Sequence, residues 1–596
     1  MIVAGVGRSL AVTESIGAQA HADRSRADLS QGLVWFVLAL SGVCYFSQSY
    51  SAWAWPALDG YPAIERWLDP GFLPRDFYTN TTTRYGVDTW QAVLFGGLQR
   101  HTGIPYAATI AALTALRLLA FPAVIYAFLS GLLGRRSAAL LAISLAVLAD
   151  FDLPHTLGWQ WLWGDGSPAM FAALAATGAW ALALRRHIWE SLLLMAAAAI
   201  LQPLVAVHGG IVFALVFFLD FDARERWKAV TSPTNLAAGA VFLVAFFSQY
   251  LLLSPAAAER LPDAEYLRIL VWERHPTDFL PSRFKLPEVI AFFIAAAGVL
   301  AMLARVWREL PHRTLIVGAL GAYSAMCLVG WTFVELRPHR LVADLIPFRT
   351  AVFGAPFLLA IIGAFAAQAY HRRDIATLGL LFLAFGAAGP LAEAAHVPGF
   401  VPAGVLLVAG LIGPAIARLP LRRLQPLAGA PLWTAVVLVL AGQAAIAASH
   451  RQPAMALPTL ANQHPIYAWA RAQTTPDSTF LIEQMPSDWS YGLMLSPQRM
   501  RLVGRRAVAA SMDFPFADRD QRAWLKTWVI GLDHGHRDFI ETADAARVAQ
   551  ICSDLPFNYL VRTHTLAGQA PVVTFAPWRG LPAVQVYRPC ERGAAN

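Results

Sequence analysis

Residues 111–128 read AALTALRLLAFPAVIYAF, and Arg117 is the only charged residue among them. An apolar stretch of this length matches the ~20 residues that an α-helix needs to cross the hydrocarbon core of a bilayer. It belongs to a longer apolar run, 105–133, and comparable runs recur on both sides. They lie at 32–50, 137–150, 167–184, 188–201, 204–220, 235–254, 287–304, 314–334, 351–370, 375–393, 399–417 and 430–449. The hydropathy therefore predicts an all-α polytopic membrane bundle of about 13 transmembrane helices, with 137–150 and 188–201 the shortest members. A charge at Arg117 is costly in such a helix unless it faces the bundle interior. The expectation is a polar cavity there, or an acidic partner from the first loop.

The composition agrees. Hydrophobic residues make up 57% of the 596 residues and charged residues only 14%, too few to build a water-facing surface over most of the chain. The net charge of +8 does not point to nucleic acid, because the arginines sit in pairs between apolar runs. The joints Arg135-Arg136, Arg185-Arg186, Arg224/Arg226/Lys228, Arg305/Arg308/Arg313, Arg372-Arg373 and Arg418/Arg422/Arg423 fall at every second connection. The positive-inside rule assigns them to the cytoplasm and places the N-terminus inside and the C-terminus outside. The first 30 residues lack the apolar core of a cleaved signal peptide, so the first run is expected to act as an uncleaved anchor. The predicted organisation is a cytoplasmic tail (1–31), a transmembrane domain (32–449) whose first outer loop is 51–104, and an extracytoplasmic domain (450–596).

That last segment changes texture. HPIYAWARAQ and RDQRAWLKTWVIGL have helical apolar spacing, whereas STFLIEQM, RMRLVGRRAV, FNYLVRT, PVVTF and PAVQVYRP read as short strands between turns. A small α/β domain follows. Of the four cysteines, Cys44 and Cys327 fall in apolar runs, while Cys552 and Cys590 share the C-terminal domain and form a candidate disulfide if it lies in an oxidising compartment.

Under this topology every large polar segment is on the outer face, and the candidate site residues are there. Asp59, Asp69 and Asp76 stand in the first outer loop, where a carboxylate at the membrane surface suits deprotonation of a hydroxyl; Asp-Gly and Asp-Pro also serve simply as turns. The tail of that loop, VDTWQAVLFGGLQR (87–100), reads as an amphipathic interfacial helix. The joint 335–350, ELRPHRLVADLIPFRT, gathers Arg337, Arg340 and Arg349, and Arg274 and His275 form a second basic group. Guanidinium forks suit phosphate oxygens, although anionic headgroups or Asp344 would also satisfy them. His155 and Trp159, in a Trp-rich loop, and His208 are candidates for a sugar-binding cavity, against the simpler reading that Trp rings mark the interface.

The architecture resembles the membrane glycosyltransferases of the GT-C class. DP-x-x-x-x-x-D at Asp69 to Asp76, RHP at 274–276 and IYAWARAQTTPDSTFLIEQ at 466–484 look like those of bacterial membrane proteins related to that class. The resemblance implies a polyprenyl-phosphate-linked sugar as donor, a membrane lipid environment in the bacterial inner membrane, and inversion at the sugar carbon. It also implies an Asp of the first loop acting as base or metal ligand, with a divalent cation such as Mg or Mn as an optional cofactor. The Asp-Glu pair common in the class is replaced here by the isolated Asp59, Asp69 and Asp76. A lipid or glycan transporter and a non-catalytic envelope assembly protein are the alternatives. The absence of a visible internal repeat counts against the transporter.

Overall fold

The computed structural model describes residues 29–50, 55–82, 89–149, 168–253, 260–274, 276–284, 286–388, 400–416, 430–451, 463–483, 495–511, 518–531, 544–578 and 581–590. The protein is a mostly helical, multi-pass membrane protein, and the described residues include one small sheet. Seven helices among the described residues are long and apolar enough to cross a membrane: Gln31–Ser49, Tyr106–Leu133, Pro203–Asp220, Leu286–Val306, Arg313–Leu336, Arg340–His371 and Pro431–Ser449. An eighth candidate, Ala223–Thr231 with Pro233–Ser248, is bent by 70°. The break falls at Pro233, whose ring disfavours a helical residue before it. Asp222 and Glu225 form a capping box at the start of this pair.

The remaining apolar runs form helices of 10–17 residues, including Arg136–Leu148, Pro168–Leu184, Ile188–Leu201, Ile375–Gly386 and Val401–Gly413. At 1.5 Å per residue, Arg136–Leu148 reaches only about 20 Å, less than the hydrocarbon thickness. Its surroundings explain how it is tolerated. Every residue from Ser137 to Leu148 is buried, so the helix is wrapped by protein rather than lipid. Gly363 of the Ala355–His371 helix makes this close packing possible: a Cβ there would lie 2.6 Å from the Ala138 carbonyl oxygen. Gly298 and Gly410 play the same part where Leu286–Val306 crosses Phe400–Ile416. Outward-facing positions such as Val244, Leu286, Phe293 and Leu300 are exposed and apolar, as a lipid-facing surface requires.

Ionic contacts gather the basic joints at one end of the bundle. Arg135 pairs with Glu309 at 3.3 Å, and Gln368 donates to the same carboxylate. Arg186 reaches Asp220 at 2.6 Å and Glu225 at 3.1 Å, while His312 meets Asp220 at 2.5 Å. Four joints that are distant in sequence thus share one level.

The C-terminal domain carries a five-stranded sheet of β1 (Thr479–Ile482), β2 (Ala507–Val508), β3 (Tyr559–Arg562), β4 (Val573–Phe575) and β5 (Val584–Tyr587), in the order β2-β1-β3-β5-β4. β1 is parallel to β2 and β3; β5 is antiparallel to β3 and β4. Phe480 stacks on Tyr559 across β1 and β3, and Trp469 from the Pro465–Gln473 helix packs edge-on against both rings. One strand expectation fails. RMRLVGRRAV forms a helical segment through Gly504, and only Ala507–Val508 joins the sheet. Its buried Met500 and Val503 are three apart, which suits a helical face, and Arg505 leaves the helix in the left-handed region at φ 51°.

Candidate functional site

The first long loop includes the helix Trp55–Leu68, the short helix Phe77–Thr82 and the helix Thr89–Thr102. Between the first two, Arg66 donates to the Phe72 carbonyl and to Asn80, closing the loop on itself. Val93, Leu94 and Leu98 remain exposed on the third helix, while a Cβ on Gly96 would press on the Trp67 ring.

Asp76 is fully buried, and both carboxylate oxygens are engaged. Oδ1 accepts from the Thr79 N–H at 2.7 Å, capping Phe77–Thr82; Oδ2 accepts from the Val508 N–H at 2.8 Å and from Arg501 Nε at 3.2 Å. The Arg501 side chain is 1% exposed and its guanidinium lies 4.8 Å from the Tyr78 ring centroid. The Tyr78 hydroxyl accepts from the Ser511 N–H at 2.7 Å and lies 2.7 Å from the Thr527 hydroxyl. The first loop is therefore bolted to the C-terminal domain by a buried polar network. Nearby, Arg505 approaches Glu65 at 3.8 Å; burial and that carboxylate push Tyr61 up to about 12.

A second clamp uses Arg340. Its two terminal nitrogens donate to Asp518 at 2.9 Å each, a bidentate pair, and its guanidinium stacks 3.7 Å over Tyr266. The Tyr266 hydroxyl donates to Asp344 at 2.6 Å, and burial raises its pKa far above the usual tyrosine value. Asp518 also accepts from the Leu261 N–H at 2.8 Å, and Arg522 makes a second bidentate pair with Glu265, holding that carboxyl below its ordinary range. Residues 261–266, the 340–344 helix and the Asp518–Gly531 helix are thereby joined.

One predicted residue is fixed to the segment that carries another. His208 is buried, and its Nε2 donates to the carbonyl of Leu345, in the segment that leads to Arg349, at 3.0 Å. Between them Ile346 adopts φ 43°, a left-handed conformation that a β-branched residue avoids and that costs about 1–3 kcal/mol.

Asp69 is exposed, with one oxygen accepting from the Gly71 N–H at 2.8 Å. Arg337 is exposed, Arg274 partly buried, and Arg117 is 2% exposed within the bundle. Cys552 and Cys590 are disulfide-bonded, closing the sheet's last turn onto the helix Ala545–Asp554. His155, Trp159 and His275 lie outside the described residues, as do the joint at 418–423 and the side chain of Asp59. Among the described residues no three His, Cys, Asp or Glu side chains gather as a metal ion would require. Sequence reasoning missed Arg501, Asp518, Tyr78 and Tyr266. The signal available was an arginine set among apolar residues in MRLV, but its partner lies 425 positions away.

No protein-family model and no curated protein sequence matches the chain. Among solved structures, it is similar to the Archaeoglobus fulgidus oligosaccharyltransferase tethered with an acceptor peptide containing the NVT sequon, at 13% identity and TM-score 0.44, covering 89% of this chain and 69% of that one. It is also similar to the arabinofuranosyltransferase AftD from Mycobacteria, at 16% identity and TM-score 0.44, covering 94% of this chain and 40% of that one.

Proposed function

We propose that the protein is a GT-C-like membrane glycosyltransferase that moves a sugar from a polyprenyl-phosphate donor to an acceptor hydroxyl at the membrane face opposite the basic joints. The supporting observation is the double clamp. Asp76–Arg501 and Arg340–Asp518 hold the first loop, residues 261–266 and the C-terminal domain together. In this reading the basic end is cytoplasmic and the C-terminal domain extracytoplasmic in a bacterial inner membrane, where its disulfide would persist.

The clamps change the division of labour among the candidates. Asp76 and Arg340 are spent on docking, so the base is assigned to Asp69, the exposed carboxylate of the same loop. Asp69 takes the proton from the acceptor hydroxyl as its oxygen attacks the anomeric carbon. The bond from that carbon to the phosphate oxygen breaks with inversion, and its electron pair leaves on the phosphate. Arg349, with Arg337 and Arg274, neutralises that departing charge, and His208 positions the segment carrying Arg349 through Leu345. The strained Ile346 fits a segment held for a purpose rather than for stability.

The test is sugar transfer by purified full-length protein with its co-purified lipid. Asp69→Asn is expected to lower turnover at least roughly a hundredfold at unchanged expression. Full activity in this variant, or co-purified lipid free of polyprenyl phosphate by mass spectrometry, refutes the assignment.

A further inference from the structure

Ala223–Thr231 is a helix of nine residues at the basic end of the bundle, bent 70° from the apolar helix that begins at Pro233. That second helix, Pro233–Leu253, has 21 residues and reaches about 31 Å, enough to cross the hydrocarbon core. Even with the ~20° tilt usual for a spanning helix, a helix bent 70° from its axis lies nearer the plane of the bilayer than the normal.

One side of Ala223–Thr231 is fixed to the bundle. Glu225 pairs with Arg186 at 3.1 Å, and the half-buried Arg226 donates to the Phe218 carbonyl at 2.8 Å. Ala229 is buried, and Asn235 Nδ2 donates to its carbonyl at 2.9 Å across the bend. The other side is bare. Trp227 is 69% and Val230 49% exposed, and Ala223, Arg224 and Lys228 are exposed with them. Helical spacing sets Ala223, Trp227 and Val230 along one flank of this face and Arg224 and Lys228 along the other. No acidic residue of the helix stands on it. Among the described residues neither the Arg224 nor the Lys228 side chain has an ion-pair or hydrogen-bond partner. The carboxylates beside them in sequence are committed elsewhere: Asp222 caps the helix by accepting from the Glu225 N–H at 2.7 Å, and Asp220 and Glu225 share Arg186.

Lipid-facing surfaces adjoin this face on both sides. Phe218 and Leu219 before the helix, and Leu236, Val241 and Val244 after the bend, are exposed and apolar. A tryptophan flanked by basic side chains where a spanning helix ends is the residue pattern of the headgroup level. We propose that Ala223–Thr231 is an elbow that docks on anionic phospholipid headgroups in the leaflet at the basic end. Trp227 and Val230 enter the boundary between headgroups and acyl chains, while Arg224 and Lys228 bind the headgroup phosphates. Continuity with lipid-facing surfaces on either side selects lipid over a protein as the occupant. The elbow lies at the opposite end from the transferase site proposed above and stands independently of it.

Hydrogen exchange of the full-length protein in nanodiscs tests this, with discs of phosphatidylcholine alone and discs that also contain phosphatidylglycerol. Each cation held at an anionic surface slows opening of the helix about fivefold, so the amides of residues 226–231 should exchange roughly thirtyfold more slowly in the phosphatidylglycerol discs at low salt. The double variant Arg224→Gln/Lys228→Gln, changed only at exposed positions, should erase that difference and leave exchange in phosphatidylcholine as it was. Trp227→Gln should speed exchange in both discs. Arg372→Gln, at another basic joint, should leave the difference intact. Equal exchange of the wild-type helix in the two discs, or a difference that survives in the double variant, overturns the proposal. Protection that is the same in both discs and disappears when a co-purified protein is stripped away overturns the lipid assignment in favour of a protein partner.

Discussion

Replacing Asp76 by alanine should loosen the C-terminal domain from the first long loop while leaving the membrane bundle intact. The substitution leaves the Arg501 guanidinium, 1% exposed, without its carboxylate. Stranding one member of a buried ion pair costs about 3–5 kcal/mol. It also strips the cap from Phe77–Thr82, worth about 1 kcal/mol, and leaves the Val508 N–H without its acceptor, worth about 1–3 kcal/mol. These contributions share one carboxylate and do not simply add. A loss of about 4 kcal/mol is the working figure, equivalent to roughly a thousandfold change in the docking equilibrium. Hydrogen exchange reads this directly, since the Thr79, Val508 and Ser511 amides all donate into the network. Their exchange should accelerate by about that factor in Asp76→Ala and by less in Asp76→Asn, which keeps one of the two acceptor oxygens. The double variant Asp76→Leu/Arg501→Leu should recover much of the protection, because removing both charges removes the stranded one. Unchanged exchange in Asp76→Ala, or a double variant worse than either single one, would refute the docking role.

Two further outcomes concern the C-terminal domain. His464 is buried, its Nδ1 accepts from the Ile466 N–H at the start of Pro465–Gln473, and burial pushes its pKa down to about 4. The unfolded chain binds this proton near pH 6.5, so the stabilisation is complete above that value and is lost as pH falls from about 6.5 through 4. Thermal unfolding followed by tryptophan fluorescence should show this slope, and His464→Asn, which keeps an acceptor but does not titrate, should flatten it. For the disulfide, loop-closure entropy over the 38-residue separation predicts a loss of about 4 kcal/mol in Cys552→Ser. In whole cells the wild-type pair should resist thiol labelling until a reductant is added; ready labelling beforehand would contradict an oxidising location for the domain.

Much of the bundle is legible in the sequence because an apolar run has one physical explanation when it is long enough. Tyr106–Leu133 and Leu286–Val306 follow the hydropathy within a few residues. Where the run is short the reading weakens, since Arg136–Leu148 is apolar on all sides for burial in protein rather than in lipid. In the C-terminal domain, RMRLVGRRAV misleads because alternation and helical spacing coincide over so few residues. The functional candidates divide on the same principle. An exposed carboxylate such as Asp69 can be assessed from its own neighbourhood, in which Gly71 closes the turn. Asp76 and Arg340 cannot, because their partners lie 425 and 178 positions away, and a local reading cannot separate a catalytic charge from one already neutralised by a distant partner.

The enclosure of Arg136–Leu148 also orders the birth of the protein. As the chain leaves the ribosome this helix is too short to rest stably across the bilayer by itself, and one of the surfaces that covers it, Ala355–His371, is made some two hundred residues later. Until then its exposed flanks must be shielded by its immediate neighbours or by an insertase. Nascent chains truncated ahead of Gly363 should therefore be recognised by membrane quality control as incomplete, whereas chains that extend past His371 can close the bundle around it.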